Sequence, residues 1–278
     1  MSETSAIGEV EVPDTQEQKK EAAPSLSPDL VTAVMCVSNE KRLNLCRTTV
    51  NLTMQQSYRR IEIVIVNTCG REVTNREHPA VKEFQLEPVG YPTLGSMRNF
   101  GIEQARGDWI LPLDDDDHHH QHRIALQMAH RRPGCCVALT QQIRVDTENS
   151  IVCFHENQDG IPGSILFPKV SEKGEVHQYD AGITGPGEDT ELYNRCFGKN
   201  RVVLSNDITW FPGPAMQIAF WHGLNLTPRE TFMAPYDDVE KWKGVRPDDM
   251  DDDMVAYLRS AMSLYGLELG ESGGDAEQ

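Results

Sequence analysis

The chain has 278 residues, 38% of them hydrophobic, and a formal net charge of −17, which suits one α/β domain with appendages or two small domains around a substantial core. The charge is concentrated at the ends: residues 1–30 carry two Lys/Arg against seven Asp/Glu and residues 237–278 four against twelve, leaving −4 for residues 31–236. That balance disfavours non-specific binding to nucleic acid or an anionic membrane, both of which need basic surface, and no run approaches the roughly 20 apolar residues of a membrane span.

Residues 1–28, rich in Glu, Ser, Pro and Ala, read as a disordered acidic tail without an apolar signal core. Seven cysteines with no C-x-x-C spacing read as free thiols in a reducing compartment, and a soluble, cytoplasmic protein is expected. Order begins with a buried strand over Leu30–Val37, followed by Ser38, Asn39, Glu40, Lys41 and Arg42. A helix from Lys41 to Gln56 places Leu45, Thr49 and Leu52 at i, i+4 and i+7, one face for the sheet. Ile61–Val66 is a second apolar strand, Val81–Leu86 a third, and Gly95–Gln104 a helix. Near that helix start, Arg98 can meet diphosphate oxygens, brace a nearby acidic cluster, or be an ordinary surface cation.

The stretch Arg106–Asp117 organises the rest. Trp109–Leu113 is short and apolar, as a central parallel strand should be, and its exit carries Asp114, Asp115, Asp116 and Asp117. Four adjacent carboxylates repel one another unless they share a cation. A hard ion such as Mg²⁺ or Mn²⁺ takes one or two carboxylate oxygens and completes its shell with phosphates, and open α/β sheets bind ligands at the carboxyl ends of their strands. The alternative is a solvated acidic turn leading into a helix.

His118, His119 and His120 invite a zinc reading, but consecutive residues project in different directions and the triplet cannot converge on one ion without contortion, which leaves one of the three free to approach a metal or a substrate. A helix is expected over Gln121–His130, then strands over Gly134–Val145 and Ile151–His155. Asn157–Ser164 and the glycines at 182, 185 and 187 mark loops that would lie beyond the sheet and line one side of a cleft. Gly187, Glu188 and Asp189 open a further helix at its acidic, favourable end. His222, in Phe220–Thr227, is either a ligand or packed beside Trp221. The helix Asp251–Tyr265 carries an apolar stripe of Met254, Tyr257, Leu258, Ala261, Met262 and Tyr265, a packing or dimerisation element, and Gly270–Gln278 should fray.

Arg98, Asn99, Gly101, Ala105, Gly107, Trp109, Leu113, Asp114, Asp116 and Asp117 fall in register with one pattern, Ala-Arg-Asn-x-Gly through Leu-Asp-x-Asp-Asp. Through them the chain resembles the family 2 glycosyltransferases of the GT-A fold, over most of residues 31–227. The resemblance implies a metal-dependent, inverting transfer of a sugar from a nucleotide-diphosphate sugar. Mn²⁺ or Mg²⁺ would be held by Asp114, Asp116, Asp117 and His222. The donor side would comprise Ser38, Asn39, Asn67, Arg98, Asn99, Asp114 and Asp115. Glu188, Asp189, Leu192 and Arg195 match the family's Glu-Asp-x-x-Leu-x-x-Arg element, which implies Asp189 as catalytic base with Glu188 second. Two positions depart from the pattern: Asn67-Thr68 replaces an acidic pair that contacts the donor's base, and Phe220 stands where Arg is usual.

The expected fold is therefore an α/β GT-A domain over residues 29–235, with a mixed, mostly parallel sheet. Residues 236–278 would be an acidic linker, an amphipathic helix and a frayed end, with that helix a route to a homo-oligomer. The acceptor class, whether protein, glycan, lipid or modified nucleic acid, is open. Two other functions stand beside this one. A nucleotidyltransferase would also use acidic metal ligands on an α/β sheet, although no Gly-rich phosphate loop follows the first strand. A non-catalytic nucleotide-sugar binding module is the other, encouraged by Asn67-Thr68.

Overall fold

The run Val31–Val37 forms β1, buried almost throughout, which is possible only with strands on both edges and helices on both faces. In the computed structural model, which describes residues 29–74, 78–204, 216–225, 244–245 and 252–268, β1 lies between β2 (Ile61–Asn67) and β4 (Trp109–Leu113), parallel to both. β3 (Val81–Gln85) extends the parallel set beyond β2, and β9 (Phe167–Pro168) closes the other edge antiparallel to β4. The register pairs Val37 with Asn67 and Met35 with Leu113, so the chain leaves β1, β2 and β4 on one edge of the sheet. Residues 38–39, 67–68 and 114–117 share that edge. The tail over 1–28, most of the linker from 236 and the end from Gly270 lie outside the described residues.

Helix α1 (Leu43–Met54) uses two faces. Leu43, Cys46 and Val50 meet the central sheet, whereas Leu45 and Leu52 join a second core. The expected Leu45-Thr49-Leu52 stripe is thus real but faces away from the central sheet. Helix α2 (Leu94–Gln104) begins at a capping box in which Thr93 and Ser96 bond reciprocally. It approaches the sheet at Gly101, where a Cβ would fall 2.3 Å from Val34 Cγ1. At Gly107 a Cβ would fall 2.6 Å from Thr32 Oγ1, a hydroxyl that accepts the Gly107 N–H and donates to Glu62. Both motif glycines therefore permit close packing.

After β4 come β5 (His118–His119) and α3 (Arg123–Ala129). The expected single strand over Gly134–Val145 divides into β6 (Cys136–Leu139) and β7 (Gln141–Asp146). The break is at Thr140, whose N–H and hydroxyl both donate to Leu204 O. β6 pairs with β10 (Arg201–Leu204). β7 enters a second sheet with β8 (Ile151–Glu156), β11 (Gln217–Trp221), β5 and β12 (Gly244–Val245), in the order β12-β8-β7-β11-β5. Helix α4 (Glu188–Leu192) continues as a π-helical turn through Phe197.

Helix α5 (Asp252–Leu264) lies on the second sheet. Leu258, Ala261, Met262 and Tyr265 are buried against Ile143, Val145, Val152, Ile218 and Phe220. Four of the residues offered as a dimerisation stripe thus pack within the chain, where the second sheet has an apolar side covered by α5 and α1.

Candidate active site

Of the four carboxylates after β4, the last three are buried and the first is not. Asp114 is the open one, with 44% of its side chain exposed, whereas Asp116 is 7% exposed. Asp115 and Asp117 are drawn inward. Asp115 meets Arg42 and the Cys46 thiol, while its carbonyl accepts from Thr49. The Asp117 carboxylate accepts from the Gln217 amide and its carbonyl from the Tyr265 hydroxyl. Burial drives both pKa values up, to about 7 for Asp115 against the pull of Arg42, and well up for Asp117, where Asp114 and Asp116 add to it.

Asp116 is the point of convergence. Its Oδ2 lies 2.6 Å from Arg42 Nη2, 3.2 Å from His222 Nε2 and 3.2 Å from Asn225 Nδ2. Asn225 also fixes the turn after β11, donating to Phe220 O while its Oδ1 accepts the His222 N–H. The late His-x-x-Asn pair thus reaches the acidic cluster from the second sheet. Among the described residues, no group of three or more His, Cys, Asp or Glu side chains is arranged to hold a metal ion.

Arg98 links the cluster to α4. It is buried, and its Nη2 lies 2.9 Å from Asp114 Oδ1, while Nη1 donates to Glu188 Oε1 and Asp189 Oδ1, each at 2.7 Å. The guanidinium also lies over the Tyr179 ring, 5.1 Å from its centroid. Of the three roles open to Arg98, bracing is the one this geometry shows. Three carboxylates around one cation leave local negative charge, and removal of the cation would strand them. Burial raises the Asp189 carboxyl to about 6, with Arg98 opposing and Glu188 and Asp114 adding to the rise. Gly187 precedes α4 at φ 118°, a left-handed conformation that glycine adopts freely.

The remaining sequence candidates divide. Ser38 is exposed at the sheet edge, and Asn39 caps the turn that follows by accepting the Lys41 N–H. Asn99 brackets Tyr179, bonding both its carbonyl and its N–H. Asn67 is fully buried; its amide donates to Arg71 O and Glu83, and its oxygen accepts the Cys69 N–H. The groups with which Asn67 was expected to meet a donor base are thus bonded inside the protein in this structure. The histidines diverge. His118 faces Tyr257 and Tyr265, His119 contacts Arg123, and His120 lies beside His122. Sequence reasoning missed Arg42, Gln217 and Asn225 as partners of the cluster. Asn225 stood in a recognisable element, but Arg42 and Gln217 had no local signal because they come from other strand ends.

Residues 32–152 match the family model described as glycosyl transferase family 2. Among solved structures, the chain is similar to S. aureus TarS 1–349 in complex with UDP, at 15% identity and TM-score 0.50, over 69% of this chain and 61% of that one. It is also similar to the same protein in complex with UDP-GlcNAc, at 15% identity and TM-score 0.49, over 87% and 68%. A third is the mannosyltransferase PcManGT from Pyrobaculum calidifontis in complex with GDP-Man and Mn²⁺, at 14% identity and TM-score 0.48, over 77% and 63%. The chain spans 60% of the length of TarS 1–349 without ligand. No curated protein matches the sequence.

Proposed function

We propose that this chain, which belongs to glycosyl transferase family 2 through residues 32–152 and has the GT-A fold, moves a sugar from a nucleoside diphosphate sugar to a hydroxyl or amine acceptor. The observation that carries the reading is the convergence at one sheet edge of Asp116, His222 and Asn225 with the Arg98-linked set Asp114, Glu188 and Asp189.

Asp114-x-Asp116 is the metal-binding element of this reading. The Asp116 and His222 donor atoms, 3.2 Å apart, are a hard oxygen and an imidazole nitrogen, a set that suits Mn²⁺ or Mg²⁺ when diphosphate oxygens fill the remaining positions. No three His, Cys, Asp or Glu side chains are arranged for an ion among the described residues, so phosphates of the donor would have to complete the shell of any ion at Asp116 and His222, where it would supply positive charge to the departing diphosphate. Asp117, bonded to Gln217, supports the loop from inside. The residues after β1, Ser38 and Asn39, flank the donor's nucleoside.

The chain's own residues supply the proton chemistry. The acceptor oxygen or nitrogen attacks the anomeric carbon, its proton passes to the Asp189 carboxylate, and the bond from that carbon to the diphosphate oxygen breaks with its electron pair leaving on the nucleoside diphosphate. One attack by one activated acceptor inverts the anomeric centre. Asp189 is 19% exposed, within reach of an acceptor, and a pKa near 6 leaves it ionised at neutral pH yet able to take a proton. Glu188, at 7% exposure, holds Arg98 in place. All seven cysteines are free, which suits a cytoplasmic setting, and no described helix is long and apolar enough to cross a membrane.

The test is release of nucleoside diphosphate from UDP-, GDP- and dTDP-sugars with Mn²⁺ or Mg²⁺. One donor should be hydrolysed slowly by the wild type and not by Asp116→Asn, with about 10²–10⁴-fold loss in Asp189→Asn. Binding of a donor with no turnover would replace the transferase by a non-catalytic binding module.

A further inference from the structure

The 3₁₀ turn Pro162–Ser164 lies against α4 and is fastened from behind. Ser164 is fully buried: its hydroxyl donates to Ile161 O and accepts the Leu139 N–H, and its carbonyl accepts from Arg123 Nη2 at 3.0 Å and Gln127 Nε2 at 2.8 Å. From the α4 side the Tyr193 hydroxyl donates to Asp159 O in the same loop. The turn therefore has a fixed place beside the helix that carries Asp189. Gly163, at its centre, is half-buried, and a Cβ at this position would lie 3.9 Å from Asp189 Oδ2. Among the described residues that oxygen is the only atom beyond the turn itself within 4 Å of the Cβ. Arg98 bonds the other oxygen, Oδ1.

Neither backbone shape nor packing calls for glycine here. At Gly95, Gly101 and Gly107 the nearest neighbour of a Cβ would stand at 2.9, 2.3 and 2.6 Å, and Gly160 and Gly187 have φ of 89° and 118°. Gly163 is not among the glycines at positive φ, and 3.9 Å is ordinary contact. A side chain in such a place restricts the unfolded chain and stabilises the fold. What its absence leaves open is the approach to Oδ2 of a carboxylate that is 19% exposed.

We propose that Gly163 is a specificity-determining residue, whose missing side chain is the clearance through which a ring hydroxyl of a sugar acceptor reaches Asp189. The inference rests on the glycosyltransferase reading, in which Asp189 takes the acceptor's proton. A hydroxyl that gives up its proton must come within about 2.6–3.2 Å of the carboxylate oxygen. On a sugar ring that hydroxyl stands on a carbon flanked by two further substituted carbons, so the oxygen it meets needs free space at its side. Water and a primary alcohol need less. One side of the Asp189 carboxylate is closed by the buried Arg98 guanidinium, and Gly163 lies beside the oxygen that Arg98 does not bond. A Cβ there, and any atom beyond it, would stand where the carbons flanking the hydroxyl must go.

The experiment uses the full chain as wild type, Gly163→Ala and Gly163→Leu, with the nucleotide sugar that the wild type hydrolyses, in water alone and with methyl glycosides of glucose, galactose, mannose and N-acetylglucosamine. Released nucleoside diphosphate measures transfer and hydrolysis together, and free sugar measures hydrolysis. Work at about pH 8 keeps Asp189 ionised even where a new side chain shields it from water. One glycoside should raise release by the wild type above hydrolysis. The ratio of transfer to hydrolysis should fall about tenfold in Gly163→Ala and about 10²-fold in Gly163→Leu, while the unfolding midpoint of Gly163→Ala stays at or above that of the wild type. A wild-type ratio in Gly163→Leu would overturn the proposal. So would a lowered midpoint in Gly163→Ala, which would assign the glycine to the fold, and so would hydrolysis by the wild type that no glycoside raises. In each of these cases the donor is still turned over and the transferase reading stands. Should Gly163→Leu not fold, Gly163→Ala decides, and a wild-type ratio there would overturn the proposal. If the wild type turns over no nucleotide sugar, the transferase reading falls and the proposal with it.

Discussion

His118, His119 and His120 are each at most 8% exposed, and burial pushes all three imidazoles down, His118 and His120 to about 4. An unfolded histidine titrates near 6.5, so between these values the unfolded chain binds more protons than the folded one. Their contribution to stability is therefore complete above pH 6.5 and is lost as the pH falls through 4, on the order of 3 kcal/mol for His118. Asp115 and Asp189, raised by burial to about 7 and 6, act in the opposite sense, since protonation favours their folded form. A difference measurement separates the two. In urea melts from pH 7 to 4, His118→Phe should lose less stability than wild type, because Phe keeps the ring against Tyr257 and Tyr265 without a proton to gain. Parallel pH profiles for the two proteins would refute the assignment. Sequence reasoning kept these histidines apart, since adjacent residues of a strand face opposite ways, but the packing of His118 under Tyr257 and Tyr265 comes from α5 and its end, more than 130 residues away.

At the scale of elements, periodicity revealed which residues share a face and left open what that face meets. The stripe on α5 was visible in the sequence, yet covering its own sheet and covering a second copy produce the same stripe. In the fold, Leu258, Ala261, Met262 and Tyr265 cover the chain's own sheet. Leu258 is fully buried beside Val145 and Phe220, so Leu258→Ala should cost about 2–5 kcal/mol, read as a lower urea midpoint at any protein concentration. A dimer face would instead make the midpoint depend on concentration. Helix α1 teaches the same lesson, because a helix between two cores carries two stripes and one was read as the whole. Gly101 and Gly107 were legible as members of a motif, while their cause, the close approach of Val34 and Thr32, required the packed sheet. Thr140 gave no sign of dividing β6 from β7, since its bond to Leu204 is a contact over 64 residues.

For the whole molecule, the acidic cluster joins two cores that have separate apolar clusters. Asp116 follows a strand of the central sheet, His222 and Asn225 follow a strand of the second, and the Tyr265 hydroxyl donates to Asp117 O from the end of α5. A ligand that engages Asp116 and His222 together should therefore stabilise both layers at once. With UDP or GDP plus Mn²⁺ at a hundred times the dissociation constant, linkage adds about 2.7 kcal/mol, on the order of 5–10 °C in the unfolding midpoint of a chain of this size. Asp116→Asn should abolish the shift by weakening the ion's anchor, and His222→Ala should reduce it by removing the contribution of the second sheet. A full shift in His222→Ala would mean that the donor is held by the central sheet alone. The histidine would then serve the turn it shares with Asn225, and the second core would support the site without touching the ligand.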